Sequence, residues 1–272
     1  MKALITGIRE FQSSYYQQHR DLFEQLGHGQ SPRVLFITCS DSRIDPNLIV
    51  QAEPGELFVI RNAGNIVPPF GAANGGEGAT IEYALQALNI EQIIICGHNH
   101  CGAMKGLLKL NQLQEDMPLV YDWLQHTEST RRILKDSYSQ YSGDALVEIA
   151  VMENILTQID NLETYPIVRS RLQQGKLHIY GWLYEIEAGE VQAYNPITQQ
   201  FEPPQSQLYP EDPGKKLEIK PGRFVKTSAP PVQQPESTAT TATNTYQPIT
   251  PLGASWLPPE QADRIYRGSR AH

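Results

Sequence analysis

Leu4, Ile8, Phe11, Tyr15, Leu22 and Leu26 keep a helical repeat in which His19 is the only polar member. That spacing predicts a helical N-terminal region, bent or broken in two. The apolar stripe precedes the sheet-forming part of the chain and needs a surface to cover, which a second subunit can supply. Three apolar β-like runs follow, at 34–38, 56–60 and 92–96. The second leads through a glycine-rich loop to a helix near 75–88, and the third to a helix beginning near Ala103. Strands separated by crossover segments imply a mostly parallel sheet flanked by helices, an α/β fold. Further helical patterns lie in 118–135 and 145–162. The latter has Asp144 as N-cap and Ile149, Met152, Leu156 and Ile159 on one face. Residues 177–186 are apolar on both alternating faces, as in a buried strand. A turn at 187–190 then leads into an edge strand ending near Tyr194.

The pattern changes after Asn195. Thirteen of the 20 prolines lie from Pro196 to Pro259, and residues 227–245 are rich in Ser, Thr, Gln and Pro. Such a segment buries too little apolar surface to offset its ordering entropy, so a disordered linker is expected. Three regions result: a folded domain over 1–195 with a helical arm at 1–30, a linker over 196–255, and a short amphipathic segment at 256–272. In the last, Trp256, Leu257, Ile265 and Tyr266 offer apolar anchors and Arg264 and Arg267 offer charge. A helix this short is marginal in water unless it docks on something.

Composition narrows the function. A net charge of −8 argues against nonspecific nucleic-acid binding. No apolar run is long enough to cross a bilayer. The run at 3–8 is short and followed by Arg9 and Glu10, unlike a signal peptide. Three cysteines do not form a disulfide framework and suit a reducing compartment.

The candidate chemistry sits at two strand ends. Cys39-Ser40-Asp41-Ser42-Arg43 follows the first run and His98-Asn99-His100-Cys101 the third. Ligands of an open parallel sheet gather beyond the carboxyl ends of its strands. Cys39, His98 and Cys101 there make a two-thiolate, one-imidazole set for zinc, with the fourth position left for chemistry. Cys96 belongs to the core. His100 is a rival ligand, but its place beside Cys101 chelates less easily than His98 does. Asp41 has two options. It enters the fourth position and closes the site, or it stays off the metal in a bidentate pair with Arg43. A nucleotide-binding reading of the glycines in 71–78 fails, because no lysine and Ser/Thr follow them.

These motifs, with Arg61-Asn62-Ala63-Gly64-Asn65 and the glycines flanking 98–101, resemble those of the β-class carbonic anhydrases over residues 1–194. The resemblance implies zinc on Cys39, His98 and Cys101, a catalytic dyad of Asp41 and Arg43, and interconversion of carbon dioxide and bicarbonate. It implies a homodimer that can assemble further, and a substrate pocket from Gln30, Phe58, Ala63, Tyr83 and Gly102, partly lent by the partner subunit. Arg61 and Tyr184 match two parts of a regulatory bicarbonate site. The tryptophan that usually completes it is replaced by Phe36, so the open, competent form is expected. The long tail resembles the carboxysomal branch of cyanobacteria, whose extension binds a scaffold protein and so places the enzyme beside Rubisco in the carboxysome. The alternatives are a zinc-stabilised scaffold without catalysis, which leaves the Asp41–Arg43 pair unexplained, and a hydrolase of a CO2-like molecule such as carbon disulfide.

Overall fold

In the computed structural model, which describes residues 1–72 and 75–204, the chain opens with a broken helical arm. It comprises α1 (Lys2–Glu10), a wide π-helical turn at Phe11–Tyr15, a single turn α2 (Tyr16–Gln18) and α3 (Arg20–Leu26). The break follows Gln18, where His19 leaves helical geometry and its ring Nδ1 bonds the Tyr15 carbonyl oxygen at 2.8 Å. No residue of the three helices is buried, and Leu4, Ile8 and Phe11 stay 67%, 57% and 44% exposed.

The sheet is built from β1 (Val34–Cys39), β2 (Leu57–Asn62), β3 (Gln92–His98), β4 (His178–Glu185), β5 (Glu190–Asn195) and β6 (Gln200–Glu202), in the order β2-β1-β3-β4-β5-β6. The first four strands run parallel, and β5 and β6 add on antiparallel. Every residue of β1 and β3 is buried, as continuous apolar runs at the centre of a parallel sheet require. Leaving β1, the chain passes through α4 (Pro46–Val50) to β2 on one side. It then returns through α5 (Gly76–Gln86) to β3 on the other. The loops after β1 and β3 therefore diverge at a topological switch point, where a ligand crevice opens.

After β3 come α6 (Gly102–Leu107), α7 (Leu110–Asp116), α8 (Pro118–Leu124), α9 (Glu128–Ser137), α10 (Gly143–Glu163) and α11 (Pro166–Gln173). The long α10 lies on β3 and β4, and two strand glycines let it come close. A Cβ on Gly97 would meet Ile155 Cδ1 at 2.9 Å, and one on Gly181 would meet Ile155 Cγ2 at 2.8 Å.

Four readings of the sequence need correction. The 118–135 pattern is two helices parted by a tight turn at Gln125–Thr127, where the Thr127 hydroxyl turns into a buried polar network. Asp144 is not the N-cap. Ser142 holds that place, and Asp144 sits in the first turn, where its charge suits the helix N-terminus and pairs with Lys105 at 3.7 Å. The α10 face is wider than one apolar stripe, since Asn154, Gln158 and Asn161 are buried with it. The edge does not fall at β5. Asn195 Oδ1 accepts the backbone N–H groups of Ile197 and Thr198, turning the chain so that β6 pairs with β5 beyond Pro196. The expected disorder of the linker, apart from residues 196–204, and the segment bearing Trp256, Leu257, Arg264, Ile265, Tyr266 and Arg267 lie outside the described residues.

Candidate metal centre

Cys39 ends β1, His98 ends β3, and Cys101 stands immediately before α6. All three are buried, and their ligand atoms lie within 4.8 Å of one another. The spacing is a product of the register: β1 and β3 are direct neighbours, paired up to Thr38↔Cys96, so their ends emerge side by side.

The donor atoms fit a zinc ion. His98 is fully buried, and its Nδ1 donates to the Asn99 carbonyl at 2.8 Å. That bond leaves the lone pair on Nε2, which has no hydrogen-bond partner. A buried ring nitrogen without a partner is costly unless something accepts its lone pair, and two cysteine sulfurs stand beside it. Two sulfurs and one imidazole nitrogen are a zinc donor set that leaves a position open. The thiols already differ. A hydrogen bond from Cys101 holds the Cys39 thiol below its usual range, against the effect of burial, and the backbone N–H of Gly64 adds a bond to Cys39 Sγ at 3.4 Å. The Cys101 thiol is raised, by that same pairing and by burial. Cys96 takes no part: it faces the opposite side of the sheet with Phe36 and Trp182, and burial pushes its thiol up to about 12.

Asp41 lies beside this group. Arg43 grips it twice, Nε donating to Oδ1 at 2.9 Å and Nη2 to Oδ2 at 2.8 Å, and the Arg43 backbone N–H adds a third bond to Oδ1 at 3.0 Å. The guanidinium holds the Asp41 carboxyl well below the usual carboxylate range. Asp41 Oδ2 stands 3.8 Å from His98 Nε2, beyond hydrogen-bond reach. His100 is turned to other work. It adopts a left-handed backbone, and its Nε2 pairs with Glu187 at 2.7 Å while Asn99 Nδ2 donates to the same carboxylate.

The expected pocket residues come from separate elements. Phe58 on β2 and Tyr83 on α5 meet with ring centroids 6.0 Å apart, and Tyr83 is half exposed. Ala63 adjoins Gly64 in the loop after β2, and its carbonyl accepts the Trp123 indole N–H at 2.8 Å. Gly102 opens α6 with free space where a Cβ would be. Gln30 is exposed in the link between α3 and β1. Arg61 donates to the Cys39 carbonyl at 3.1 Å and the Asp41 carbonyl at 2.7 Å, so its guanidinium braces the loop that carries Cys39, Asp41 and Arg43. Tyr184 lies beside His98 in register on β4. Phe36 packs against Trp182 with centroids 6.1 Å apart.

Sequence reasoning missed the buried polar side chains behind this loop. Asn154 Nδ2 donates to the Gly64 carbonyl at 2.9 Å, Gln158 Oε1 accepts from the Val67 N–H at 2.8 Å, and Asn161 Nδ2 donates to the Val67 carbonyl at 2.9 Å. The signal was an Asn, a Gln and an Asn at i, i+4 and i+7 of an otherwise apolar helix.

A family model described as "Carbonic anhydrase" matches residues 34–191. A carbonic anhydrase of Synechococcus elongatus is 60% identical over 271 residues, covering 99% of both chains. A solved β-carbonic anhydrase, CcaA, is 65% identical with a TM-score of 0.75, over 75% of this chain and 99% of its own. One of two tetrameric β-carbonic anhydrases from the ascomycete Sordaria macrospora is 26% identical with a TM-score of 0.64, over 71% of this chain and 95% of its own.

Proposed function

From the premise that this chain belongs to the β-class carbonic anhydrases, lyases that hydrate carbon dioxide, we propose that Cys39, His98 and Cys101 hold one zinc ion and that Asp41 and Arg43 are the catalytic pair. The observation that carries the reading is the buried cluster of Cys39, His98 and Cys101, whose ligand atoms lie within 4.8 Å of one another and in which His98 Nε2 has no hydrogen-bond partner. A zinc ion held there supplies Lewis acidity, which makes water acidic enough to react near neutral pH. The chain's own groups do the rest. Two thiolates offset the charge of the metal. Arg43 occupies both oxygens of Asp41 and so keeps the carboxylate from filling the open position. Asp41 Oδ2, 3.8 Å from His98 Nε2, would accept a hydrogen bond from a water held at the open position and orient it. Phe58, Ala63, Tyr83 and Gly102 give a small, mostly apolar chamber suited to an uncharged linear substrate, and Gln30 of a second protomer adds an amide donor.

The same reading makes the chain a homodimer, or an oligomer of dimers, whose arms cover one another. It is supported by the exposed stripe of α1 and by the tetrameric relatives. It also places the enzyme in the carboxysome, supplying carbon dioxide to Rubisco, with the residues from 205 to 255, beyond β6, a tether and 256–272 the contact to a scaffold protein. Supporting this is the 60% identity to the cyanobacterial relative, whose alignment spans both chains almost entirely and so includes the tail. Bicarbonate regulation through Arg61 and Tyr184 is not favoured, since the Arg61 guanidinium is engaged by the metal loop.

Stopped-flow hydration of carbon dioxide by the metal-replete chain, beside Cys39→Ala, tests the chemistry: the first is expected to be active and the second inert. Activity surviving in Cys39→Ala would overturn the ligand assignment. A chain ending after Pro251 tests the tail. It should keep zinc and activity and fail to sediment with carboxysomes, and continued co-sedimentation would remove the scaffold role.

A further inference from the structure

We infer that Asn154 is a positioning residue for the metal centre: from α10 it fixes Gly64, whose N–H tunes the Cys39 sulfur. The inference rests on the ligand assignment above and extends it to a helix that supplies no ligand.

The bonds form one continuous line. Thr127 Oγ1 and Gln158 Nε2 both donate to Asn154 Oδ1, at 2.8 and 2.9 Å. With its oxygen so occupied, the amide can present only Nδ2 to the loop, and it donates to the Gly64 carbonyl at 2.9 Å. Gly64 has φ +83, a left-handed backbone that a side chain would strain. A Cβ there would also lie 3.0 Å from Ala103 Cβ and 3.2 Å from Met104 Cε. Gly64 is thus held on both sides: Asn154 pins its carbonyl, in the peptide it shares with Asn65, α6 walls its Cα, and its N–H, in the preceding peptide, points at Cys39 Sγ. Asn154, Thr127 and Gln158 are all at most 1% exposed. Buried amides in an apolar helix are costly unless fully partnered, and here their partners lead to a loop whose backbone N–H touches a candidate ligand sulfur. Hydrogen bonds to a metal-bound sulfur draw charge from it, and groups that orient a ligand change metal affinity and activity about ten- to a hundredfold.

Asn161 provides the comparison. It lies on the same face and donates to the Val67 carbonyl and, at 3.1 Å, to Gln158 Oε1, but makes no bond to Gly64. A merely structural role for the polar stripe predicts like effects from Asn154 and Asn161.

The test is the cobalt-substituted full chain, read by its sulfur-to-cobalt charge-transfer band and by the rate at which the zinc form yields metal to a chelator. Asn154→Leu should move the band to longer wavelength and release zinc about tenfold faster. Asn161→Leu should lose thermal stability yet keep the band and the release rate. If Asn154→Leu does not fold, Thr127→Val frees one bond to the Asn154 oxygen and should give a smaller shift of the same sign. A folded Asn154 or Thr127 variant with an unmoved band and unchanged release overturns the inference and leaves the ligand assignment standing. A wild-type chain with no sulfur-to-cobalt band overturns both.

Discussion

The N-terminal arm and the strands that carry the candidate metal centre are both rich in apolar side chains, yet they are buried to opposite extents. In β1 and β3 every residue is buried, while in α1, α2 and α3 none is. The strands close their surface within the chain. Their neighbours are strands on both sides and α10 across one face, and the ligand atoms at their ends are aligned by that closure. The arm has the amphipathic spacing of a helix meant to be covered, with Leu4, Ile8 and Phe11 left in solvent. A large apolar stripe persists on a soluble surface where another molecule covers it. On the proposed reading the two regions differ in where stability comes from: internal packing in the strands, assembly with a second protomer in the arm.

The strongest way to break this contrast is at the metal end. Cys39→Ala and Cys101→Ala should each lose essentially all zinc, whereas His100→Ala, whose ring is engaged by Glu187, should keep it. Metal analysis of the three purified variants checks the assignment, and zinc lost only from His100→Ala would reverse the choice of histidine. Next in size is Arg43→Ala. Freed from both bonds, Asp41 can move onto the metal, and hydration should fall on the order of a hundredfold while zinc stays bound. Unaltered hydration kinetics would deny Arg43 that task.

Packing gives a smaller, more direct comparison. Ile155 is fully buried between Gly97 and Gly181, so Ile155→Ala should cost about 2–5 kcal/mol in denaturant unfolding. Ile8→Ala in the arm should cost no more than about 0.5 kcal/mol in a separated protomer and should show instead as weaker association in light scattering. Equal losses at the two sites in a separated protomer would mean that the arm packs on its own chain. The smallest effect is at the exposed pair on α9, where Arg131 donates twice to Glu128 at 2.6 Å and holds its carboxyl below the usual range. A lowered carboxylate pKa stabilises the fold above the unfolded value, about pH 4.5, and that contribution is lost as pH falls through the folded value. Glu128→Gln should thus lose about 0.3–0.5 kcal/mol at pH 7, and its difference from wild type should shrink below pH 4.5. A difference that grows with acid would reverse the sign.

The strands and the clustering of Cys39, His98 and Cys101 were legible because they are local: runs such as 34–38 and 92–96 are apolar on both faces, and the candidate ligands follow them at once. The broken arm was legible from spacing alone. Short helices such as α4, α7 and α11 were not, since one or two turns leave little periodicity to read. Nor was β6, because Pro196 and the polar residues after it resemble the linker, and pairing to β5 depends on the Asn195 side chain closing the turn. The polar stripe of α10 escaped for another reason. Asn154, Gln158 and Asn161 look like solvent-facing residues until the fold shows that the loop after β2 supplies their partners. Distant bonds of this kind leave no mark on local pattern.

The central claim is that one metal ion, held by Cys39, His98 and Cys101, makes this chain a carbon dioxide hydratase. Metal-free full chain titrated with zinc, with stopped-flow hydration measured at each addition, tests it most directly. Activity should rise in proportion to added metal and level off at about one zinc per chain. Full activity before any zinc is added, or none after saturation, would contradict it.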